Sequence, residues 1–391
     1  MNLRETIKTA AYRAFARSFD RGARKGVLPD RVVFFHLTAG NFLDSMDRVE
    51  RELRKRGDYE ILHVSREELT NPRTALRFMT RTAFSMGRAR YLFLNNNFFP
   101  LGYTHPAPET TIVQLWHGMG AFKKFGFDIP QPPEVREKEL GAVKNVDYVV
   151  CSAPQIRPIY ASAFHMDPEQ VLTTGTPIQD FYFDPANVGE DAIKKHRRAF
   201  DDRYPACRGK YLVFYAPTFR DDPEEGAALL DHMDFLRLRR SAEQGAEKEA
   251  VILVRLHPND EASHQKLRAF LQKHPEEGVV DVTDYPDGNE LSLLSDVMIT
   301  DYSSICMNNA LLRKPIVLYA YDLDDYKDAR NFYFDYEKTA PGPVVRTMDE
   351  LCTVFAEQDF HPERLEQFRE LHFGDPDGHA AEKLVDAITS P

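Results

Sequence analysis

Short apolar runs alternate with amphipathic helical stretches along most of the 391-residue chain. Runs of this length and composition predict buried strands, and the stretches between them are long enough for crossover helices. Strands separated by helices form βαβ units, whose strands pair in parallel. The predicted strands cover residues 31–37, 60–64, 91–94, 111–115 and 147–151, then 211–215, 250–256, 297–300 and 316–319. The sequence therefore predicts an α/β protein with two sets of strands.

A break in this pattern separates the two sets. Residues 174–191 contain Gly175, Pro177, Pro185 and Gly189, a composition typical of a domain linker. We predict a basic helix over residues 1–30 and two Rossmann-like domains over 31–185 and 186–391. Two such domains facing each other enclose an interdomain cleft at the carboxyl ends of their strands, where open α/β sheets bind ligands.

Charge is distributed unevenly. Residues 1–31 carry eight basic and three acidic side chains, whereas the whole chain has a formal net charge of -11. This acidic balance argues against a dedicated nucleic-acid-binding protein, which usually has a basic field. The basic helix, with Leu3, Ile7 and Phe15 on one side, predicts docking on an anionic membrane surface. The alternative is a helix packed on the body of the protein, with its arginines in solvent.

The cysteines and the apolar segments exclude other classes. The four cysteines are far apart in sequence, which predicts buried, reduced thiols rather than a metal or redox motif. No apolar run approaches the ~18 residues that a membrane span needs. No secretory signal opens the sequence, so we expect a protein of the cytoplasm. The cysteines are Cys151, Cys207, Cys306 and Cys352.

The segment from Gln114 to Gly126 is the densest candidate site. A predicted strand ends at Leu115, so His117 lies in a loop at the carboxyl end of a strand. Glycines in such a loop let the backbone approach a ligand, and two lysines suit a phosphate group. We therefore interpret His117 as a catalytic candidate. The accompanying residues are Gly118, Gly120, Lys123, Lys124 and Gly126.

A second histidine, His257, also follows a predicted strand, and Pro258 prevents that strand from continuing. Two histidines from opposite halves of the chain could meet across one cleft. Neither has a Cys or His at metal-ligand spacing, so we exclude a zinc site and expect an activity that needs no metal or cofactor.

Two further strand ends carry polar groups. Asp301, Ser303 and Ser304 follow one apolar strand and precede a helical pattern, where free N–H groups could bind phosphate. The alternative for one of the serines is an ordinary helix cap. Thr218 and Arg220 follow another strand. P-loop, nucleophile-elbow and dinucleotide fingerprints are missing from the sequence, which argues against kinase, α/β-hydrolase and dehydrogenase functions.

These motifs, in this order, resemble the CDP-glycerol glycerophosphotransferase family of teichoic acid and capsule synthesis. The resemblance runs from about residue 31 to residue 371. It rests on Trp116-His117-Gly118, Ala216-Pro217-Thr218-Phe219-Arg220, Asn289-Glu290-Leu291, Thr300-Asp301-Tyr302-Ser303-Ser304, Tyr319-Ala320-Tyr321-Asp322, Phe332-Tyr333-Phe334-Asp335 and Ala340-Pro341-Gly342-Pro343.

The resemblance implies a glycosyltransferase-B-like architecture and transfer of a polyol phosphate, typically glycerol phosphate, from a CDP-activated donor. The acceptor would be a hydroxyl of a polyprenyl-diphosphate-linked chain at the cytoplasmic membrane face. The first domain would bind the acceptor and the second the CDP donor. The functional histidines of the family match His117 and His257, and its diphosphate contacts match Pro217, Thr218, Ser303 and Ser304.

Three positions depart from the pattern of the family. Met119 and Gly120 replace a Thr-Pro pair after His-Gly. Ile178 stands where a Gly-x-Pro-Arg-x-Asp motif has arginine, which implies weaker diphosphate binding. Asn308 replaces an aspartate, which removes an implied ribose contact. The transferase class is compatible with all three changes.

From these features we predict that His117 is the general base and that protonated His257 stabilises diphosphate charge. An alternative enzyme of the same fold is a glycosyltransferase that uses a sugar nucleotide. A non-catalytic subunit of a polymer-assembly complex is a further alternative, against which the presence of both histidines argues. The predicted donor-binding residues are Gly118, Lys123, Lys124, Pro217, Thr218, Arg220, Asp301, Ser303, Ser304 and Asn308.

Overall fold

A computed structural model describes residues 3–36, 45–71, 73–220, 230–257, 260–329 and 332–389. The chain divides into two compact units. The first contains residues 1–180 and 372–391, and the second contains residues 181–371. This division falls five residues before the predicted boundary at residue 185, and it groups the carboxyl end with the first unit.

The first unit is built on a six-stranded parallel sheet. Its strand order is β2-β1-β3-β4-β5-β6, so the direction in which successive strands are added to the sheet reverses between β1 and β3. Ligands bind at such reversals in open α/β sheets, beyond the carboxyl ends of the strands. The strands are β1 Leu28–His36, β2 Glu60–Ser65, β3 Ala89–Leu94, β4 Thr111–Gln114, β5 Tyr148–Val150 and β6 Val171–Leu172.

Within the described residues, seven α-helices precede residue 181, and an eighth lies near the carboxyl end of the sequence. A π-helical turn, Phe78–Thr82, joins α4 to α5. The helices are α1 Leu3–Lys25, α2 Ser45–Arg56, α3 Arg66–Thr70, α4 Ala75–Arg77, α5 Ala83–Met86, α6 Pro133–Val143 and α7 Arg157–Phe164, with α18 Ala380–Thr389 at the carboxyl end.

Both faces of the first sheet are buried, as expected for a parallel sheet. On one face, Phe15 and Phe19 of α1 share a core with Phe35 of β1. On the other face, Leu384 of α18 shares a core with Phe34 of β1. Successive strand residues point to opposite faces, which explains why neighbours in β1 belong to different cores. The carboxyl-terminal helix is therefore an integral part of the first unit.

Two glycines allow α1 to approach α5 closely. A Cβ atom at Gly22 would lie 2.1 Å from the carbonyl oxygen of Phe84, and one at Gly87 would lie 2.0 Å from that of Phe19. Both distances are too short for any side chain. The basic helix predicted from the sequence is thus packed on the body of the protein.

The second unit contains another six-stranded parallel sheet, in the order β12-β11-β10-β7-β8-β9. Counted within the unit, this is the Rossmann order, with its reversal between β7 and β10. All five residues of β8 are buried. The strands are β7 Tyr211–Tyr215, β8 Ala250–Val254, β9 Val279–Asp281, β10 Val297–Thr300, β11 Ile316–Tyr319 and β12 Val344–Val345.

Helices of the second unit connect and cover these strands. They are α8 Pro185–Val188, α9 Glu190–Arg203, α10 Phe235–Ala246, α11 Glu261–Lys273, α12 Gly288–Leu294, α13 Cys306–Leu311, α14 Leu323–Ala329, α15 Tyr336–Thr339, α16 Met348–Glu357 and α17 Pro362–Phe373.

The α/β class with two Rossmann-like sheets is confirmed. Three edge strands, β6, β9 and β12, were missed because two or three residues carry no recognisable periodicity. The predicted linker is largely helical, since a 3-10 helix at Pro177–Tyr182, α8 and the start of α9 occupy most of it. The four cysteines are buried and free, as predicted.

Candidate functional site

His117 lies three residues after Gln114, the last residue of β4, and so beyond the carboxyl end of that strand. Its Nδ1 atom is 3.3 Å from the carbonyl oxygen of Asn95, which follows β3. A proton on Nδ1 therefore has an acceptor, and this tautomer leaves Nε2 as the basic nitrogen. The loop is held in this position because the N–H of Trp116 donates to the side chain of Gln114.

The charge state of His117 suits a base. Desolvation lowers the pKa of its imidazole from the ordinary value of 6.5, and this effect exceeds the opposing effect of the Asn95 carbonyl. Solvent still reaches the side chain. The neutral form, which can accept a proton, is therefore favoured near neutral pH.

Trp116 supports the His117 ring. The two ring centroids are 3.9 Å apart, and the indole also packs against Phe125 and Phe164 at 5.5 and 5.1 Å. The backbone of Trp116 has a φ of 59°, a left-handed conformation that is rare for a bulky residue. Such strain persists only where surrounding contacts impose it, and it is common at functional sites.

Three residues that the sequence analysis did not identify anchor the end of this loop. Ser152 accepts a hydrogen bond from the N–H of Gly120 at 3.0 Å and donates to the carbonyl of His372 at 2.7 Å. The Tyr160 hydroxyl donates to the Gly120 carbonyl at 3.0 Å. His372 Nδ1 accepts from the N–H of Ala121.

His372 is suited to this acceptor role because it stays neutral. Burial lowers the pKa of its imidazole from 6.5 to about 3. The side chain is 251 residues from Ala121 in sequence, so no local pattern could have identified the contact.

The other predicted residues of the loop are two glycines in tight surroundings and two half-buried lysines. A Cβ at Gly118 would lie 3.5 Å from the indole nitrogen of Trp116. At Gly126, with a φ of 59°, a Cβ would lie 2.0 Å from the Ala163 carbonyl oxygen, so only glycine fits there. Lys123 and Lys124 are half-buried in the same unit as His117. Their contact with phosphate stays a prediction.

In the second unit, Asp301 forms the centre of a buried polar network. Its Oδ1 accepts hydrogen bonds from the N–H and the hydroxyl of Thr218, at 2.8 and 2.6 Å, and from the N–H of Tyr302. Thr218 follows β7 and Asp301 follows β10, so the contact joins the two strands at the reversal of the sheet.

Arg220 completes this network. Its guanidinium donates to Asp301 at 3.1 Å, to Asp322 at 2.8 Å and to the carbonyl of Thr218 at 2.9 Å. Burial alone lowers the pKa of Arg220, but the carboxylates of Asp301 and Asp322 outweigh this effect and raise it. The guanidinium also lies over the Tyr302 ring, 5.3 Å from its centroid.

Three of the predicted donor-binding residues, Arg220, Asp301 and Thr218, take part in this network. The side chains of Arg220 and Asp301 are 6% and 4% exposed, and their charges compensate each other. Thr218 uses both its N–H and its hydroxyl proton on Asp301, and Pro217 is buried. Arg220, Asp301 and Thr218 therefore hold the strand ends together, and the donor contacts predicted for these residues and for Pro217 stay predictions.

Ser303 and Ser304 precede α13, which begins at Cys306. The hydroxyl of Ser303 accepts from the N–H of Ile305 at 3.5 Å, but among the described residues no side chain caps the first turn of α13 itself. Ser304 is exposed. Of the two serines, Ser304 presents its hydroxyl more openly to solvent.

The side chain of Asn308 is hydrogen-bonded within the second unit. Its amide donates to the side-chain oxygen of Asn289 at 3.0 Å, and the same oxygen accepts from the Tyr182 hydroxyl at 2.8 Å. A carboxylate at position 308 could not donate this bond. The departure at Asn308 therefore fits its local surroundings.

His257 is exposed at the carboxyl end of β8. Its ring centroid is 5.2 Å from that of Phe219, and its carbonyl accepts from the N–H of Asp260 and lies 3.0 Å from Nε2 of His264. Pro258 lies outside the described residues. His257 and His117 belong to different units.

The motif from Gly175 to Asp180 has a structural role that the sequence analysis did not predict. The Asp180 carboxylate accepts from the N–H groups of Ala380 and Ala381 at 2.8 and 2.9 Å, which caps α18. Gln179 accepts from the N–H of Thr176. Isoleucine at position 178 thus lies in a segment that ties the carboxyl-terminal helix to the first unit.

Comparison with known proteins agrees with this architecture. The wall teichoic acid polymerase TagF has a similar fold, with a TM-score of 0.68 at 22% identity, and the match covers 99% of this chain and 97% of that one. A UDP-GlcNAc 2-epimerase from Neisseria meningitidis matches with a TM-score of 0.56 at 12% identity, covering 92% of this chain and all of the other. The chain is therefore a two-domain, Rossmann-like protein with the glycosyltransferase-B type of fold.

Comparison of the sequence with family models identifies one family within this fold. Residues 19–390 match the family described as CDP-Glycerol:Poly(glycerophosphate) glycerophosphotransferase, and the chain belongs to that family.

Curated relatives are bacterial teichoic acid enzymes. A teichoic acid poly(ribitol-phosphate) polymerase of Bacillus spizizenii is 32% identical over 93% of this chain. The teichoic acid ribitol-phosphate polymerase TarK of Staphylococcus aureus is 33% identical over 89%. The chain spans 56% and 65% of the lengths of these two relatives, less than two thirds of each.

Within the described part of the chain, none of the helices is both long enough and apolar enough to cross a membrane.

Proposed function

We propose that the protein transfers a polyol phosphate, glycerol phosphate or ribitol phosphate, from a CDP-activated donor to an acceptor hydroxyl. The acceptor is the polyol end of a teichoic acid or capsule-type chain on a polyprenyl diphosphate. The observation that carries the proposal is the position of His117 in a member of this family. Its Nδ1 faces the Asn95 carbonyl, and its Nε2 is the basic nitrogen at the end of β4.

In the proposed reaction, the acceptor oxygen attacks the phosphorus that bears the polyol. The bond between that phosphorus and the bridging oxygen of the diphosphate breaks, and CMP leaves with the electron pair. The acceptor proton passes to Nε2 of His117. General base catalysis contributes typically ~10²–10⁴-fold, and a hydroxyl at neutral pH needs this help.

We assign donor phosphate contacts in the second unit to Ser303, Ser304 and His257. Arg220 and Asp301 position the loop after β7 against the loop after β10, and Thr218 belongs with them as a positioning residue. Lys123, Lys124 and Gly118 remain candidates for phosphate contacts in the first unit. Asn308 is a candidate neighbour of the nucleoside.

The donor is tested with a panel of CDP-glycerol, CDP-ribitol and UDP-sugars and an acceptor oligomer. We expect CMP release with one of the two CDP-polyols. The relatives described above carry ribitol phosphate in their names, which favours CDP-ribitol. Release of a nucleoside diphosphate from a UDP-sugar would instead support the sugar-nucleotide glycosyltransferase.

Replacement of Ser304 by alanine should raise the KM for the donor about tenfold with little change in kcat. A hydrogen bond to a charged group contributes about 1.5–3 kcal/mol, and a ground-state contact acts mainly on KM. Ser303→Ala is the matched comparison and should have the smaller effect, because Ser303 is less exposed and its hydroxyl already accepts from the N–H of Ile305. An unchanged donor KM in the double variant would remove both serines from the donor site.

We also propose that the protein binds the cytoplasmic face of the membrane peripherally, through the exposed side of α1. The apolar side expected to enter the bilayer is mostly engaged, because Phe15 and Phe19 are fully buried in the first core. Ile7 remains exposed. The outward side carries a row of exposed arginines at helical spacing, namely Arg13, Arg17, Arg21 and Arg24.

A neighbouring surface has the same character. The segment beside α1 exposes Arg73, Arg77 and Arg81 together with Leu76, which is 71% exposed. Basic side chains near an anionic leaflet contribute about 1 kcal/mol each, so attraction by these rows could exceed repulsion of the acidic remainder.

Substitution of Arg13, Arg17, Arg21 and Arg24 by glutamine should reduce binding to phosphatidylglycerol vesicles at least tenfold, measured by sedimentation at low salt. Deletion of the helix is unsuitable, since it would remove Phe15 and Phe19 from the core. The matched control replaces four exposed basic residues of the second unit, Lys195, Arg198, Arg240 and Lys248, by glutamine. Equal binding by the two quadruple variants would exclude α1 as the docking surface.

A further inference from the structure

The first unit contains a cavity of about 210 Å³ that the reaction scheme above does not use. It lies beyond the carboxyl ends of β5 and β6, where open α/β sheets bind ligands. Ser152 follows β5, and Thr173 and Thr174 follow β6. Gln179 and the segment from Phe373 to Lys383 complete the lining.

We propose that this cavity binds the terminal polyol of the acceptor, an uncharged polyhydroxy chain of three to five carbons. The inference rests on the proposed function and assigns its acceptor subsite. The cavity is smaller than the ~300–1,000 Å³ pockets of drug-sized ligands, so it fits one small polar unit rather than a nucleotide.

Charge in the lining favours hydroxyl groups over phosphate. Asp180, Asp375 and Asp377 contribute carboxylates, whereas the one ammonium group, Lys383, is paired with Asp377 at 2.7 Å. The first N–H groups of α18 could have attracted an anion, but Asp180 already accepts from Ala380 and Ala381. Carboxylates accept hydrogen bonds from hydroxyls and repel phosphate.

Gln179 supplies a donor without a protein partner. Its Oε1 accepts from the N–H of Thr176 at 2.9 Å, which orients the amide. Its Nε2 has no hydrogen-bond partner among the described residues, although the side chain is only 2% exposed. Buried polar groups normally have partners, and a ligand in the cavity is one group that could supply it. A polyol hydroxyl can accept that bond and donate another to a carboxylate.

The cavity shares its framework with the loop of the proposed base. Ser152, which lines the cavity, also accepts from the N–H of Gly120 and donates to the carbonyl of His372. Phe373, the next residue, lines the cavity as well. A polyol held there would therefore be positioned by the same side chains that hold the loop after His117.

Binding is measured on the whole protein by saturation-transfer NMR with free ribitol, glycerol and glycerol 3-phosphate. We expect ribitol and glycerol to bind, and glycerol 3-phosphate to bind more weakly. Thr173→Val removes a hydroxyl while keeping a side chain of similar shape, and Asp375→Asn removes a negative charge from the cavity. Each should weaken ribitol binding at least fivefold. The control is Asp58→Asn, an exposed aspartate of the same unit outside the cavity.

Unchanged ribitol binding in both cavity variants, or tighter binding of glycerol 3-phosphate than of glycerol, would overturn the assignment. The readout does not depend on turnover. Loss of ribitol binding in the variants of a protein that releases no CMP would support the cavity and refute the proposed transfer. CMP release with an acceptor KM unaffected by Thr173→Val and Asp375→Asn would refute the cavity and leave the transfer intact.

Discussion

Replacement of His117 by alanine is expected to lower kcat/KM by about 10²–10⁴-fold while the protein keeps its melting temperature. The loss follows from removal of the group that accepts the acceptor proton, and a general base contributes this much. The fold should be unaffected, because solvent reaches the His117 side chain and its ring contacts the carbonyl oxygen of Asn95 rather than a side chain of the core. Steady-state CMP release and thermal unfolding measure the two effects.

The matched control is His105→Ala. His105 is an exposed histidine of the same unit that pairs with Asp20 on the surface. Its removal should change kcat/KM less than twofold. A His117→Ala protein with more than about a tenth of the wild-type rate would contradict the assignment of the base.

The pH dependence gives an independent check of the same residue. Desolvation lowers the pKa of His117 below 6.5, so its neutral form persists to lower pH than that of an ordinary histidine. Activity should therefore fall as the pH drops through a value below 6.5, where the imidazole becomes protonated. An acid limb centred above 6.5 would assign the rate-controlling ionisation to another group.

Replacement of Arg220 by methionine is expected to lower the free energy of unfolding of the second unit by about 3–5 kcal/mol. Methionine fills a similar volume but leaves Asp301 and Asp322 without their cation. Removal of one partner of a buried ion pair is costly because the remaining charge stays desolvated. Urea unfolding followed by circular dichroism measures the change.

Arg346 offers a matched control for this experiment. It also pairs with two carboxylates, those of Asp324 and Glu337, but its side chain is 40% exposed and both partners are exposed. Surface pairs contribute about 0–1 kcal/mol, so Arg346→Met should have a small effect. If the two variants were equally stable, the buried network around Asp301 would not organise the strand ends as we propose.

The sequence was sufficient for the parts of this fold that depend on local pattern. Buried runs such as Ala250–Val254 and the glycines and prolines near residue 180 predict the two parallel sheets and the approximate division between them. His117 and Asp301 were found because each follows a strand and stands among polar or small residues. The family resemblance added the nature of the reaction, which no periodicity could supply.

The missed features depend on contacts between distant residues. Asp180 caps α18 across 200 residues, and Arg220 reaches Asp322 across 102. A lone carboxylate or arginine in the sequence does not reveal whether it binds a ligand or another part of the chain. The sequence therefore predicts donor contacts for Arg220, Asp301 and Thr218 but does not reveal that these residues also bind one another. The helical wheel of α1 likewise shows an apolar side but not that Phe15 is already buried.

The most direct test of the proposed function is identification of both products of one reaction. The whole protein is incubated with CDP-ribitol or CDP-glycerol and a synthetic acceptor that ends in a polyol, and the mixture is analysed by mass spectrometry. The account predicts CMP together with an acceptor heavier by one or more polyol phosphate units, and neither product with His117→Ala. CDP together with an acceptor that gains the polyol without phosphate would contradict attack at phosphorus and with it the proposed function.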